Sequence, residues 1–304
     1  MTTIDVQGLT KRYGSDTVVD DLSFTVAPGQ VTGFLGPNGA GKSTTMKMII
    51  GLAAPTRGSV SIGGRRYRDL PVPLTEVGAL LDASAVHGGR TAYNHLLALA
   101  VSNGLPRRRV GEVLARTGLE GVAGKRAGGF SLGMRQRLGI AATLLGDPQV
   151  LIFDEPVNGL DPEGIRWIRD FMRSLASEGR AVLVSSHLMS EMAQTADHLV
   201  VIGKGRLIAD MGMADLMHAN GEGTVLVRTS DPDDFARRLT AAGAAVRDGL
   251  ENSLVVSAMS SAEIGKLAAY HGVALSELTP QRASLEDAFM ELTRDSIEYQ
   301  GAAA

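Results

Sequence analysis

Residues 36–44 read Gly36-Pro37-Asn38-Gly39-Ala40-Gly41-Lys42-Ser43-Thr44, and no other run constrains the fold as tightly. The placement of Gly36, Gly41, Lys42 and Ser43 satisfies the phosphate-binding P-loop pattern. The mostly apolar stretch Val31–Leu35 before it predicts a buried strand, and Thr44–Leu52 after it is apolar at helical spacing. A strand that feeds a glycine-rich turn into a helix N-terminus aims unpaired backbone N–H groups at an anion. The whole run from Gly36 to Thr44 is therefore the expected phosphate cradle. Lys42 would reach the outer phosphates, and the Ser43 hydroxyl would take one oxygen position on Mg²⁺.

A P-loop alone fits kinases, small GTPases, helicases and transport ATPases, so a second motif has to choose among them. Val150-Leu151-Ile152-Phe153-Asp154-Glu155-Pro156 is an apolar strand that ends in adjacent carboxylates, a Walker B pattern. Asp154 suits a hard cation, which prefers oxygen ligands. Glu155 can polarise the water that attacks the terminal phosphate.

The third element is Phe130-Ser131-Leu132-Gly133-Met134-Arg135-Gln136-Arg137. With it the chain resembles the nucleotide-binding subunit of ATP-binding cassette (ABC) transporters. That family carries a serine–glycine signature at the start of a helix shortly before Walker B. The resemblance implies that two subunits meet head to tail as a homodimer around two ATP–Mg²⁺. Ser131, Gly133 and Met134 of one copy would then contact the γ-phosphate held by the other. A helix N-terminus with a serine hydroxyl suits such a phosphate contact.

Smaller marks fall in the family's order. Asn158-Gly159-Leu160-Asp161 resembles the loop that lies across the subunit contact, with Asp161 its acidic end. Ser185-Ser186-His187 resembles the switch-histidine loop, so His187 would touch the γ-phosphate and orient Glu155 and the water. Tyr13, in Lys11-Arg12-Tyr13-Gly14, matches the aromatic residue that stacks on adenine. The resemblance thus makes Glu155, His187 and Lys42 the expected catalytic groups.

Two departures stand out. Val77-Gly78-Ala79-Leu80-Leu81-Asp82 puts Asp82 where the family's joining loop usually carries glutamine, which makes Asp82 a candidate metal ligand beside Ser43 and Asp154. The signature has Phe130, Leu132 and Met134 in place of the common Leu, Gly and Gln. A branch of bacterial exporters that includes antibiotic-resistance transporters shows a similar Ser-Leu-Gly-Met signature and an acidic residue in that loop. Membership of that branch implies export of a drug, antibiotic, peptide or lipid-like cargo through a separate transmembrane permease. It also implies a cytoplasmic position at the inner face of the cell membrane. Two other readings stay open at this point: a non-transport ABC ATPase of translation or DNA repair, and a nucleotide-gated regulator.

Composition sets the outer limits. The chain has 304 residues, 44% hydrophobic and 21% charged, as an ordinary globular protein does. A net charge of −3 gives no electrostatic case for a nucleic-acid partner. The absence of cysteine excludes disulfides, thiolate zinc sites and cysteine nucleophiles. No apolar run approaches the about 18–20 residues that span a bilayer, so a membrane role is expected to run through a partner.

The expected architecture is α/β. Residues 1–218 form an ABC cassette: a RecA-like P-loop core, a β subdomain with strands at Ile4–Leu9, Ser23–Val26 and Val60–Ile62, and a helical subdomain over about 83–147. Turns fall at Ala27–Gln30 and Ala54–Gly58, further core strands at Val150–Phe153 and Ala181–Val184, and helices at 162–177 and 188–196. Asn220-Gly221-Glu222-Gly223 reads as a linker to a small α+β domain over residues 219–304. There strands at Thr224–Arg228, Ala244–Arg247, Ser253–Ser257 and Val273–Leu278 alternate with helices at Pro232–Ala242 and Ala262–Tyr270. That β-α-β-β-α-β order is the ferredoxin-like one. A last helix is expected to start near Ser284-Leu285-Glu286-Asp287, with Leu285, Ala288, Phe289 and Leu292 as a stripe for the core or for a partner.

Overall fold

A computed structural model describes residues 2–82, 85–219, 224–249 and 253–280. In chain order the first strands are β1 (Ile4–Tyr13), β2 (Asp16–Val26) and β3 (Val31–Leu35). Then come α1 (Lys42–Ile49), β4 (Arg57–Ile62), α2 (Pro73–Glu76), β5 (Val77–Leu80), α3 (Ala92–Ser102), α4 (Arg108–Arg116) and α5 (Leu132–Thr143). The core continues with β6 (Val150–Phe153), α6 (Pro162–Ser177), β7 (Ala181–Ser186), α7 (Met189–Thr195), β8 (His198–Gly203) and β9 (Arg206–Gly212). After α8 (Met213–Ala219) the chain forms β10 (Val225–Thr229), α9 (Pro232–Ala241), β11 (Ala245–Asp248), β12 (Leu254–Ser257), α10 (Ser261–Tyr270) and β13 (Leu275–Pro280). The described residues fall into two compact units that divide between Met213 and Ala214.

In the first unit a six-stranded sheet runs in the order β5-β6-β7-β3-β8-β9, parallel except for the antiparallel edge pair β8–β9. Its central strands are buried throughout, which explains why Val150–Phe153 and Ala181–Val184 read as continuous apolar runs. An antiparallel sheet, β2-β1-β4, shares one core with it. Phe24 of β2 stacks on Phe34 of β3 with ring centroids 5.2 Å apart, and the α1 side chains Met46 and Ile49 fill the space between the sheets.

Some elements differ from the sequence reading. Helix α1 begins at Lys42 and ends at Ile49, so Ile50–Leu52 lie beyond it. Gly41 at φ 99° supplies the left-handed turn before the helix, and a Cβ there would come within 2.8 Å of the Val18 carbonyl. Arg57 and Gly58 already belong to β4 rather than to a turn. The run leading to Asp82 is edge strand β5 as far as Leu80, which leaves Leu81 and Asp82 to the loop. Val77 and Leu80 are buried there, and β5 pairs with β6. The β8–β9 hairpin has no counterpart in the sequence reading, although Leu199–Ile202 is a buried apolar run.

In the second unit the antiparallel order β11-β12-β10-β13 is that of the ferredoxin-like split unit. Phe235, Leu239 and Ile264 are fully buried and Ala268 nearly so, which gives α9 and α10 a common core with the sheet. Both helices give way to glycines at positive φ, Gly243 and Gly272. The linker at Asn220–Gly223 and the last helix, with Leu285, Ala288, Phe289 and Leu292, lie outside the described residues.

Candidate functional site

Parallel strands release their loops at one edge, and the residues singled out by the sequence gather at that edge. Leu35 pairs with Ser186 and Phe153 with both Leu80 and Val184, so the loops after β3, β5, β6 and β7 begin side by side. The P-loop follows β3, Asp154 and Glu155 follow β6, and His187 follows β7.

Lys42 is 6% exposed, and its ammonium donates to the carbonyl oxygens of Gly36 (2.7 Å) and Pro37 (3.2 Å). It lies 3.5 Å from Glu155 Oε1. Burial lowers its pKa, an effect only partly opposed by the charges of Glu155 and Asp154. An arriving polyphosphate would add negative charge beside the buried ammonium and favour its protonated form. Residues Asn38–Thr44, Val18 and Glu155 line an open cleft, in which Ser43 is exposed.

Both carboxylate oxygens of Glu155 are engaged. Oε2 accepts from Asn158 Nδ2 at 2.5 Å and lies 3.0 Å from His187 Nδ1, while Oε1 faces Lys42. Burial alone would raise its pKa. The Asn158 hydrogen bond, the Lys42 charge and His187 outweigh that and hold it below the usual glutamate value, so the group is ionised at neutral pH. Its backbone sits at φ 45°, a left-handed conformation rare for a residue with a Cβ. The Glu155 N–H donates to Ser185 Oγ at 2.8 Å, and the Ser185 hydroxyl donates to Asp154 Oδ1 at 2.5 Å. Asp154 N–H in turn donates to the Leu80 carbonyl at 2.9 Å, which ties β5 to the carboxylate pair.

The other predicted residues sit on elements of their own. Ser131 caps α5, where its hydroxyl oxygen accepts from Met134 N–H at 3.2 Å. Ser131 is exposed and Gly133 and Met134 are half-buried, and their hydrogen bonds stay within their own turn of helix. Asp161 caps α6 by accepting from Gly164 N–H at 2.8 Å, so its carboxylate is engaged locally. Tyr13 ends β1 at 52% exposed, with the Lys11 ammonium 4.8 Å from its ring centroid. Asp82 is exposed, two residues past Leu80.

Among the described residues no three His, Cys, Asp or Glu side chains form a metal cluster. The donor set here is one serine hydroxyl and one carboxylate, which suits magnesium held largely by phosphate oxygens and water.

Ser185, Asn158 and Gln136 hold the acidic loop in ways the sequence reading missed. Polar residues directly after a buried strand are the signal that points to Ser185. For Gln136, whose amide donates to the Pro156 carbonyl at 2.7 Å, no local signal exists.

Residues 19–158 match the family model described as ABC transporter, and residues 223–286 match one described as a domain of unknown function. The chain is 36% identical over 301 residues to an uncharacterized ABC transporter ATP-binding protein of Bacillus subtilis, YhcH, covering 98% of each. It is 36% identical over 296 residues to the bacitracin transport ATP-binding protein BcrA of Enterococcus faecalis, covering 95% of this chain and 96% of that one. A solved ATP-binding subunit of an ABC transporter superposes with a TM-score of 0.65 at 32% identity, over 71% of this chain and 92% of its own.

Proposed function

This chain belongs to the ATP-binding subunits of ABC transporters, and on that premise we propose that two copies close around two ATP molecules to drive a separate permease that exports an antibiotic-like cargo. The chain is an ATPase, and the proposal concerns how its residues divide the work. Bacitracin and lantibiotic transport, the functions in the names of its relatives, support the cargo class. That no described helix is long and apolar enough to cross a membrane supports a separate permease, and the relatives' names place them in transport.

The observation that carries the catalytic reading is the Lys42–Glu155–His187 cluster, in which both Glu155 oxygens are occupied by groups that a γ-phosphate would attract. Lys42 moves from the Gly36 and Pro37 carbonyls and from Glu155 onto the phosphates, where its charge is worth more. His187 donates to the γ-phosphate, and the freed Glu155 accepts a hydrogen bond from the attacking water as general base. Asn158 keeps the carboxylate in place during this exchange. Ser43 and Asp154 would hold Mg²⁺, which neutralises developing charge on the phosphates when bound. Tyr13 stacks on adenine, and Asp82 is the remaining candidate ligand. Ser131, Gly133 and Met134, with Asp161 at the contact, complete the partner's site, a reading supported by their local hydrogen bonding among the described residues.

Replacing Glu155 with Gln tests the reading. ATP binding should survive while turnover falls by about 10²–10⁴-fold, the range for loss of a general base. The tagged variant, solubilised with ATP–Mg²⁺, should also bring down a multi-spanning membrane protein. Turnover at the parental rate would refute the assignment of Glu155, and recovery of the chain without a membrane protein would refute the permease.

A further inference from the structure

The left-handed backbone at Glu155, φ 45°, is strained for a residue with a Cβ and persists only where the surroundings hold it. Two side chains hold the chain around this residue, one at its own N–H and one at the carbonyl of the residue that follows it. On the N-terminal side Ser185 of β7 accepts the Glu155 N–H at 2.8 Å. On the C-terminal side Gln136 of α5 donates to the Pro156 carbonyl at 2.7 Å. Gln136 is 5% exposed and reaches across 20 residues of sequence to make this bond. The carbonyl it serves belongs to the residue directly after the base. Ser185 also donates to Asp154, whereas the Gln136 amide gives its hydrogen bond to the Pro156 carbonyl.

A second contact joins the same two segments. Leu132, in the first turn of α5, covers Gly159 so closely that a Cβ on Gly159 would lie 2.4 Å from Leu132 Cδ2. Gly159 follows Asn158, whose amide holds Glu155 Oε2. The first turns of α5 therefore grip the loop Glu155–Gly159 at both ends.

We propose that Gln136 is a positioning residue for ATP hydrolysis, which fixes the strained Glu155 backbone through the Pro156 carbonyl so that the carboxylate meets the attacking water. The inference rests on Glu155 being the general base. Without the donor the Pro156 carbonyl is left buried and unpaired, and the loop relaxes away from φ 45°. The carboxylate moves with it, and a displacement near 1 Å can cost about 10²-fold in rate. Nucleotide affinity, which is set by the P-loop, stays as it was.

The test uses Gln136→Met, which keeps the shape and removes the donor, in the full chain and in the Glu155→Gln background. Expected are a kcat lowered by about tenfold to a hundredfold and an unchanged affinity for fluorescent ATP. In the Glu155→Gln background the same replacement should leave residual turnover unchanged, because the group it positions is gone. A merely structural role would lower turnover by the same factor in both backgrounds, and that result overturns the inference. So does parental kcat in Gln136→Met while Glu155→Gln is inactive. Parental turnover in Glu155→Gln would instead bring down the assignment of the base, and this inference with it. Should Gln136→Met fail to fold, Gln136→Asn, one methylene too short to reach Pro156, is expected to show the same split between kcat and affinity.

Discussion

The two units of this molecule differ in where their polar side chains meet. In the cassette, Lys42, Asp154, Glu155, Ser185 and His187 come from separate strand ends and meet within hydrogen-bonding or ion-pair distance. In the C-terminal unit several polar groups serve their own elements, and those that cross, such as Arg228 to Glu277 and Arg238 to His271, join neighbouring elements without gathering at one place. Asp231 caps α9, Ser260 and Glu263 form a capping box on α10, and Arg238 pairs with Asp234 one turn away on the same helix. The contrast follows from topology: a parallel sheet sends all its outgoing loops to one edge, whereas an antiparallel sheet divides them between two. Chemistry concentrates where the strand ends concentrate.

The contrast can be broken by mutation. Lys42→Ala should have the largest effect, lowering ATP turnover by at least about 10²-fold with the fold intact, since it removes the charge aimed at the phosphates. Steady-state ATPase assays with circular dichroism check both halves of that statement. Phe235→Ala should do the reverse, destabilising the C-terminal unit by about 3–5 kcal/mol and leaving ATP affinity of the cassette unchanged. Hydrogen exchange on β10–β13 beside nucleotide titration reads it. A fall in ATP affinity would mean that the two units do not divide structure from chemistry as described.

Gly159→Ala should cost about 1–2 kcal/mol, because it adds a Cβ at positive φ and strikes Leu132. Leu132→Gly in the same chain should recover about 0.5–1 kcal/mol of that as a measurable coupling. Thermal denaturation of the four variants gives the cycle. Smallest is Asp147→Asn. The Arg180 hydrogen bond, with the Arg180, Arg109 and Arg116 charges, holds the Asp147 pKa below 3.8 against the opposing effect of burial. The native state thus favours the ionised form, and its stabilisation is present above pH 3.8 and fades as the pH falls through the lower, native value. Asp147 is 57% exposed, so solvent screening keeps the loss at neutral pH under about 1 kcal/mol. It should vanish in strongly acidic urea melts.

What the sequence discloses is what is local. Gly36–Ser43 and Val150–Glu155 are legible because strand, turn and ligand types stand next to one another, and the same holds for the Ser131 cap. The ferredoxin-like order is legible because α9 and α10 each carry a stripe of buried residues and end at a glycine. The clamp on Glu155 is not legible. Ser185 lies 31 residues from Asp154 and Gln136 lies 20 from Pro156, and only the β5-β6-β7 pairing and the packing of α5 bring them together. Strand β5 was hidden by its shortness and by Gly78, whose missing Cβ lets the Thr143 carbonyl approach to 2.2 Å of where it would stand. Hairpin β8–β9 lacks any chemical motif to draw attention to its apolar run.

The proposed sharing of each ATP between the P-loop of one copy and the signature of another can be tested by a mixing experiment. Lys42→Ala and Ser131→Arg chains are purified separately, each inactive, then combined in equal amounts with ATP and Mg²⁺. A site shared between copies predicts that turnover returns on mixing, because the mixed pair contains one composite site with Lys42 and Ser131 both intact. If each chain instead completes its own site, every site carries a defect and the mixture stays as inactive as its parts, which would contradict the account.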